Sequence, residues 1–144
     1  MALTVQITVD AHDPARLAEF WALALGYELE APPAGFATWD EALDAWGIPA
    51  DDRNRASALR DPNGTGPRLF FQRVPEGKTA KNRVHLDVRA AEGVAPEDRM
   101  AALESTAKIL VSAGATRVER HEPDRFGKGH LVMQDPEGNE FCLD

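Results

Sequence analysis

The sequence predicts an α+β fold assembled from two copies of one βαβββ module. The first observation behind this is a turn, Asp61-Pro62-Asn63-Gly64, that returns as Asp135-Pro136-Glu137-Gly138 at a similar place in the other half. Each copy joins the fixed φ of proline to a glycine free to take a positive φ. The second is alternation. Val5, Ile7 and Val9 alternate with Gln6, Thr8 and Asp10, just as Val84, Leu86 and Val88 alternate with His85, Asp87 and Arg89. Both runs have the period of two expected of a half-buried strand. The third is that each run is followed by an apolar stripe at helical spacing that ends in glycine.

In chain order, the first strand leads to Asp13-Pro14, an N-cap followed by proline at the first helical position. Leu17, Phe20, Trp21 and Ala24 form the stripe of that helix, and Gly26 stops it. A short strand is expected around 27–30. Within the Pro- and Gly-containing connector 31–54, Thr38 and Glu41 form a capping-box pattern, and Trp39, Ala42, Leu43 and Trp46 recur at helical spacing. That segment reads as a short amphipathic helix that either patches an edge of the core or covers a ligand. Strands 56–60 and 69–74 flank the first turn. In the second half Pro96 is expected to open a helix with Met100, Leu103, Ala107, Leu110 and Val111 on one face, closed by Gly114. Strands follow at 116–120, 131–134 and 140–143. Residues 1–144 are thus expected to form one domain, with a first module at 1–76 and a second at 82–144, because neither half is long enough to bury a comfortable core alone.

Composition bounds the function. The chain has 144 residues, is 43% hydrophobic and 28% charged, and carries a formal net charge of −8. That field repels phosphate backbones, so neither nucleic acid nor an anionic membrane is an expected partner. The single cysteine, Cys142, permits no intrachain disulfide, and the first residues lack a basic stretch followed by an apolar core. A cytoplasmic location is the expectation. The sequence contains no phosphate-binding glycine loop, serine-hydrolase elbow or zinc-protease helix motif.

The chemistry-bearing residues follow from strand parity. Gln6, His85 and Cys142 each lie opposite the aliphatic face of their strand, where a site can open. Asp87, two residues beyond His85, either orients that imidazole or pairs with a cation across the sheet. Lys78, Lys81, Asn82 and Arg83 form a basic run, read as a solvated turn or as an attractor of anions. His121 and His130 flank a connector containing Phe126, Gly127, Lys128 and Gly129.

The βαβββ duplication, the Phe20-Trp21 pair before Leu25-Gly26, the strand Asn82–Asp87 and the closing run Asp135–Phe141 together resemble the vicinal-oxygen-chelate superfamily. More narrowly, they are similar to the glyoxalase-like proteins common in actinomycetes. The resemblance implies the glyoxalase/bleomycin-resistance/dioxygenase fold, a curved and largely antiparallel sheet around a cleft, and a homodimer. It does not imply one reaction, because the superfamily holds isomerases, dioxygenases, drug-resistance proteins and fosfomycin-modifying transferases. By its motif, the four metal-ligand positions of metal-dependent members fall on Gln6, Phe70, His85 and Cys142, with Gln72 as the alternative to Phe70.

This set suits a metal poorly. Phe70 has no ligand atom, and Cys142 stands where a carboxylate would supply a hard, charged oxygen. His85 and Gln6 remain as the metal candidates. No cofactor is expected, with a divalent metal as the alternative. The leading expectation is therefore a small-molecule-binding protein with a degraded metal site. Its ligand contacts would be Gln6, Trp21, Trp39, Phe70, Gln72, His85, Asp87 and Cys142, with Phe71 beside them. The alternative is a lyase, isomerase or dioxygenase in which His85 is a metal ligand or general base. A third reading is a partner-binding domain whose cleft is filled by side chains.

Overall fold

A computed structural model describes residues Met1–Asp144, and the chain forms two compact units, Met1–Gly77 and Lys78–Asp144. The first contains β1 (Ile7–Ala11), α1 (Pro14–Leu25), β2 (Glu28–Leu29), α2 (Trp39–Ala45), a 3-10 turn (Ala50–Asp52), β3 (Ala56–Arg60) and β4 (Leu69–Arg73). The second contains β5 (Asp87–Val88), α3 (Arg99–Ser112), β6 (Thr116–His121), β7 (His130–Gln134) and β8 (Glu140–Leu143). The sheet orders are β1-β4-β3-β2 and β5-β8-β7-β6. In each, the first and fourth strands of the module run parallel and the other pairs antiparallel. The fold is α+β, with one four-stranded sheet and the same strand order in each half.

Local chemistry explains the helix ends. The Asp13 carboxylate accepts the Arg16 N–H at 3.2 Å, and Pro14 opens α1. Asn54, on the segment entering β3, donates to Asp13 Oδ1 at 2.7 Å while its own Oδ1 accepts the Ala15 N–H at 2.9 Å. The Asn54 bond, then the Arg16 N–H, hold the Asp13 carboxyl below its ordinary range. Gly26 ends the helix at φ 67, a left-handed conformation that suits glycine. Thr38 caps α2 by accepting the Glu41 N–H at 3.1 Å, while Glu41 accepts the Ala37 N–H at 2.9 Å.

In each unit the core lies between one helix and one sheet face. Leu17, Ala18 and Trp21 of α1 are buried with Leu59, Leu69 and Phe71. Leu103, Ala107 and Leu110 of α3 are buried with Leu131, Met133, Phe141 and Leu143. Each large side chain removed from water in this way contributes roughly 1.5–3 kcal/mol.

Three expectations change. Helix α3 begins at Arg99 rather than Pro96. The preceding turn closes by shorter-range bonds, Asp98 N–H to Ala95 O and Arg99 N–H to Pro96 O, and the first helical bond there is Ala102 N–H to Asp98 O. Val111 falls off the buried stripe and is exposed. The strand expected from Val84 contracts to Asp87–Val88. At its start, Asn82 substitutes for the backbone ladder, giving its N–H to Glu140 Oε2 at 3.0 Å and its Nδ2 to Glu140 O at 3.2 Å.

The repeated turns share one device, an aspartate that gathers the N–H groups of its own loop. Asp61 Oδ1 accepts from Asn63 N at 2.8 Å, and Oδ2 accepts from Gly66 N at 2.7 Å and Thr65 Oγ1 at 2.8 Å. Asp135 Oδ1 accepts from Glu137 N at 2.9 Å and Asn139 N at 3.0 Å. Gly64 and Gly138 close the turns at φ 72 and 86. The Asn63 N–H, then the Gly66 N–H, lower the Asp61 carboxyl from 3.8 to about 2. Because the folded value lies below the unfolded one, this contribution is complete above about pH 4 and disappears as the pH falls toward 2. Asp61→Asn should therefore flatten the loss of stability over that interval, read as the urea midpoint at successive pH values.

Candidate functional site

In the second unit, parallel pairing sets Asp87 beside Cys142 and Val88 beside Leu143. Alternation sends Phe141 and Leu143 into the core under α3 and leaves Cys142 with Asp87 on the other face. His85 Nε2 lies 3.2 Å from Asp87 Oδ1, and both side chains are nearly half exposed. Of the two roles open to Asp87, the geometry has it on the imidazole; no Arg or Lys forms an ion pair with it. The donor atoms of His85, Asp87 and Cys142 all lie within 4.8 Å of one another. Burial first, then the Asp87 charge, raise the Cys142 thiol above its ordinary value, so it stays protonated at neutral pH.

In the first unit, β1 and β4 set Thr8 beside Phe70 and Asp10 beside Gln72. Leu69 and Phe71 are buried, whereas Phe70 and Gln72 share the opposite face. The cross-strand partners of that face are small, Ala58 at Phe70 and Ala56 at Gln72. Gln6 is already engaged: its Oε1 accepts from Arg68 Nη1 at 2.8 Å, and its Nε2 donates to Thr8 at 3.3 Å. Arg68 also donates to Glu30 at 2.7 Å and stacks over the Phe70 ring at 5.4 Å. Gln72 donates to Asp10 at 2.8 Å. The result is an aromatic surface with a guanidinium held on it by a carboxylate and an amide.

Two expected ligand contacts move into the core. Trp21 is 4% exposed, edge-on to Phe20 within α1, and Phe71 is fully buried. Register explains both: α1 covers the sheet face that carries Leu69 and Phe71, and Trp21 lies on the helix stripe that meets it. Trp39 stays 43% exposed, with its indole N–H donating to Glu30 O at 2.8 Å, which straps α2 to the end of β2. The basic run is partly structural, since Lys78 Nζ pairs with Glu140 Oε2 at 3.1 Å. The Asn82 N–H, then the backbone N–H of Glu140 itself and Lys78, hold the Glu140 carboxyl down at about 2. His121 and His130 stack at 4.5 Å, away from the His85 cluster in sequence, and Phe126 is exposed. Sequence reasoning missed Arg68, Thr8 and Asp10. Thr8 and Asp10 share the parity of Gln6, and Arg68 that of Phe70, which was the available signal.

The four positions that the resemblance assigns to a metal do not fit one. Phe70 offers no donor, the Gln6 amide oxygen is occupied by Arg68, and Cys142 stands where a hard carboxylate oxygen would be needed. The nearest alternative donor set is His85, Asp87 and Cys142, in which Asp87 supplies the missing carboxylate.

Comparison with known proteins agrees with this fold. No curated protein sequence matches the chain. Among solved structures, a fosfomycin resistance protein, FosX, from Listeria monocytogenes, solved with Mn(II) and a dihydroxypropylphosphonic acid, is 8% identical with a TM-score of 0.63, covering 99% of this chain and 89% of its own. A glyoxalase/bleomycin resistance protein/dioxygenase family enzyme from Burkholderia phytofirmans is 15% identical with a TM-score of 0.60, covering 96% and 94%. The bleomycin-binding protein of Streptomyces verticillus, solved with copper(II)-bleomycin, is 17% identical with a TM-score of 0.53, covering 99% and 95%. At these identities the likeness is one of fold. A family model described as a glyoxalase-like domain matches residues 6–143, and with that span and the duplicated module, this chain belongs to the glyoxalase-like domain family of the vicinal-oxygen-chelate superfamily.

Proposed function

We propose that this protein binds a small molecule without the four-position metal site of its metal-dependent relatives. The observation that carries this reading is the state of those positions: Phe70 is a stacking surface under Arg68, and Gln6 is a hydrogen-bonded support for that guanidinium. Phe70, Gln6 and Gln72 supply an apolar surface with polar edges, the usual recipe for a ligand site. In the second unit, His85, oriented by Asp87, presents a hydrogen-bonding or proton-accepting group of its own. Trp39 is retained as a contact because its ring is exposed, while Cys142 contributes as a small, neutral side chain. The bleomycin-binding protein of Streptomyces verticillus shares the fold and was solved with its copper-loaded drug, which supports a sequestering role. We further infer a cytoplasmic homodimer; no helix is long and apolar enough to cross a membrane, and light scattering of the purified chain tests the dimer.

The second reading is a divalent-metal-dependent lyase, isomerase or dioxygenase, favoured by the mutual approach of His85, Asp87 and Cys142. A metal there would polarise a carbonyl or enolate oxygen. Two measurements decide. Protein purified without a histidine tag is expected to contain less than about half an equivalent of transition metal, since the family set lacks the three or four protein ligands such a site needs; stoichiometric Zn, Ni, Mn or Fe transfers the case to the second reading. A thermal-shift screen supplies the ligand, because binding raises apparent stability by mass action. His85→Ala should then weaken that ligand about tenfold, the worth of one well-made polar contact, with unchanged far-UV circular dichroism. Unaltered affinity would return His85 to a purely structural role.

A further inference from the structure

The second unit contains a cleft of about 770 Å³ that shares no residue with the surfaces described above. Its floor is an ion chain. Asp144 receives Arg99 on one carboxylate oxygen and Arg89 on the other. Arg99 is 9% exposed and docks against the loop after β6, with Nε on the carbonyls of Lys128 and Gly129 and Nη2 on Gly129. Nη1 is the one nitrogen of that guanidinium with no protein partner. No buried side-chain nitrogen or oxygen in the chain is left unsatisfied, so Nη1 is open to solvent, and Arg99 lines the cleft.

The charges select the ligand. The lining carries three cations, Arg89, Arg99 and Lys128, and three carboxylates, Glu92, Asp124 and Asp144, so its formal charges balance. Asp124 is committed to its own turn, its Oδ1 accepting the N–H groups of Phe126 at 2.7 Å and Gly127 at 3.0 Å. Glu92, which is exposed, is the carboxylate of the lining without such a commitment. The walls include Ala91, Val94, Pro96 and Pro123, and the volume falls within the ~300–1,000 Å³ of small-molecule sites, far beyond the need of a bare ion.

We propose that this cleft binds a small organic monocarboxylate, its carboxylate on Arg99 Nη1 and Arg89 and its apolar body against Val94, Pro96 and Pro123. A carboxylate accepts well from guanidinium N–H groups, and a single negative charge adds least to a lining whose own charges balance. A phosphate dianion would exceed that charge while facing Asp144.

Benzoate, acetate, inorganic phosphate and neutral benzamide are the probes, titrated into the full chain at low ionic strength with amide shifts followed by NMR. Benzoate is expected to saturate, with shifts centred on Gly93, Arg99, Gly127 and Lys128. Benzamide should bind at least about tenfold more weakly, since it lacks the charge that strengthens such bonds. Acetate, lacking the ring, should fall between them. Arg89→Ala, on an exposed side chain, should weaken benzoate about tenfold and Lys128→Ala by less. His85→Ala should leave it unchanged, which separates this site from the one proposed above. Benzamide binding as well as benzoate, phosphate binding more tightly, or benzoate shifts lying elsewhere or absent would each overturn the proposal.

Discussion

Replacing Phe71 with alanine is expected to cost about 3–5 kcal/mol of stability, whereas Phe70→Ala should cost about 1 kcal/mol or less, the usual range for a partly exposed position outside the core. The two residues are neighbours in one strand and identical in type, so composition cannot separate them. Pleating does. Phe71 pairs with Val9 in β1 and Ser57 in β3 and is fully buried, while Phe70 pairs with Thr8 and Ala58 on the opposite face under Arg68. Truncating Phe71 leaves a cavity that the sheet and α1 cannot collapse to fill. Urea denaturation with an unchanged m-value reads the difference. A larger loss for Phe70→Ala than for Phe71→Ala would mean that the β1–β4 register is shifted, because a one-residue slip exchanges the faces. The ligand assay should show the reverse order, with Phe70→Ala the variant that loses affinity while still folded.

The parts of this fold that were legible in sequence are those set by local chemistry. Asp13-Pro14 and Thr38 start helices, Gly26 stops one, and the two Asp-Pro turns mark corresponding hairpins because each aspartate bonds to its own loop. What depends on distant partners was not legible. Arg99 is drawn to Gly129 and Asp144, 30 and 45 residues away, where α3 begins in place of Pro96. The strand expected from Val84 shortens because Asn82 takes Glu140, 58 residues on, with its side chain. The site divides in the same way. Parity identified Gln6, His85, Asp87 and Cys142 as open-face residues, and the family resemblance added Phe70, but neither could tell that Trp21 and Phe71 lie on the buried side of the α1 contact. Nor could it reveal Arg68, whose partners Gln6 and Glu30 lie 62 and 38 residues away.

Asp135→Ala is expected to cost about 2–4 kcal/mol, well above a typical loop substitution. The carboxylate accepts from Glu137 N, Asn139 N and Asn139 Nδ2, all within 2.9–3.0 Å, and the residue is only 2% exposed. Removing it strips charge-assisted acceptors from donors that sit where water is scarce, so the cost exceeds the net worth of one ordinary hydrogen bond. Asp135→Asn retains one oxygen for the backbone N–H groups and sets an amide against Asn139, so roughly 1–2 kcal/mol should be lost. The loop is closed independently by Asp135 N–H to Asn139 O and Gly138 N–H to Asp135 O, both at 2.9 Å, which lets the variants fold and be measured. A loss below about 0.5 kcal/mol, the range of ordinary surface changes, would show that this hairpin holds its register without the carboxylate. The register is what matters: β7 and β8 pair Leu131 with Leu143 and Met133 with Phe141, and a slip of β8 by one residue would bring Cys142 under α3 and turn Phe141 and Leu143 outward.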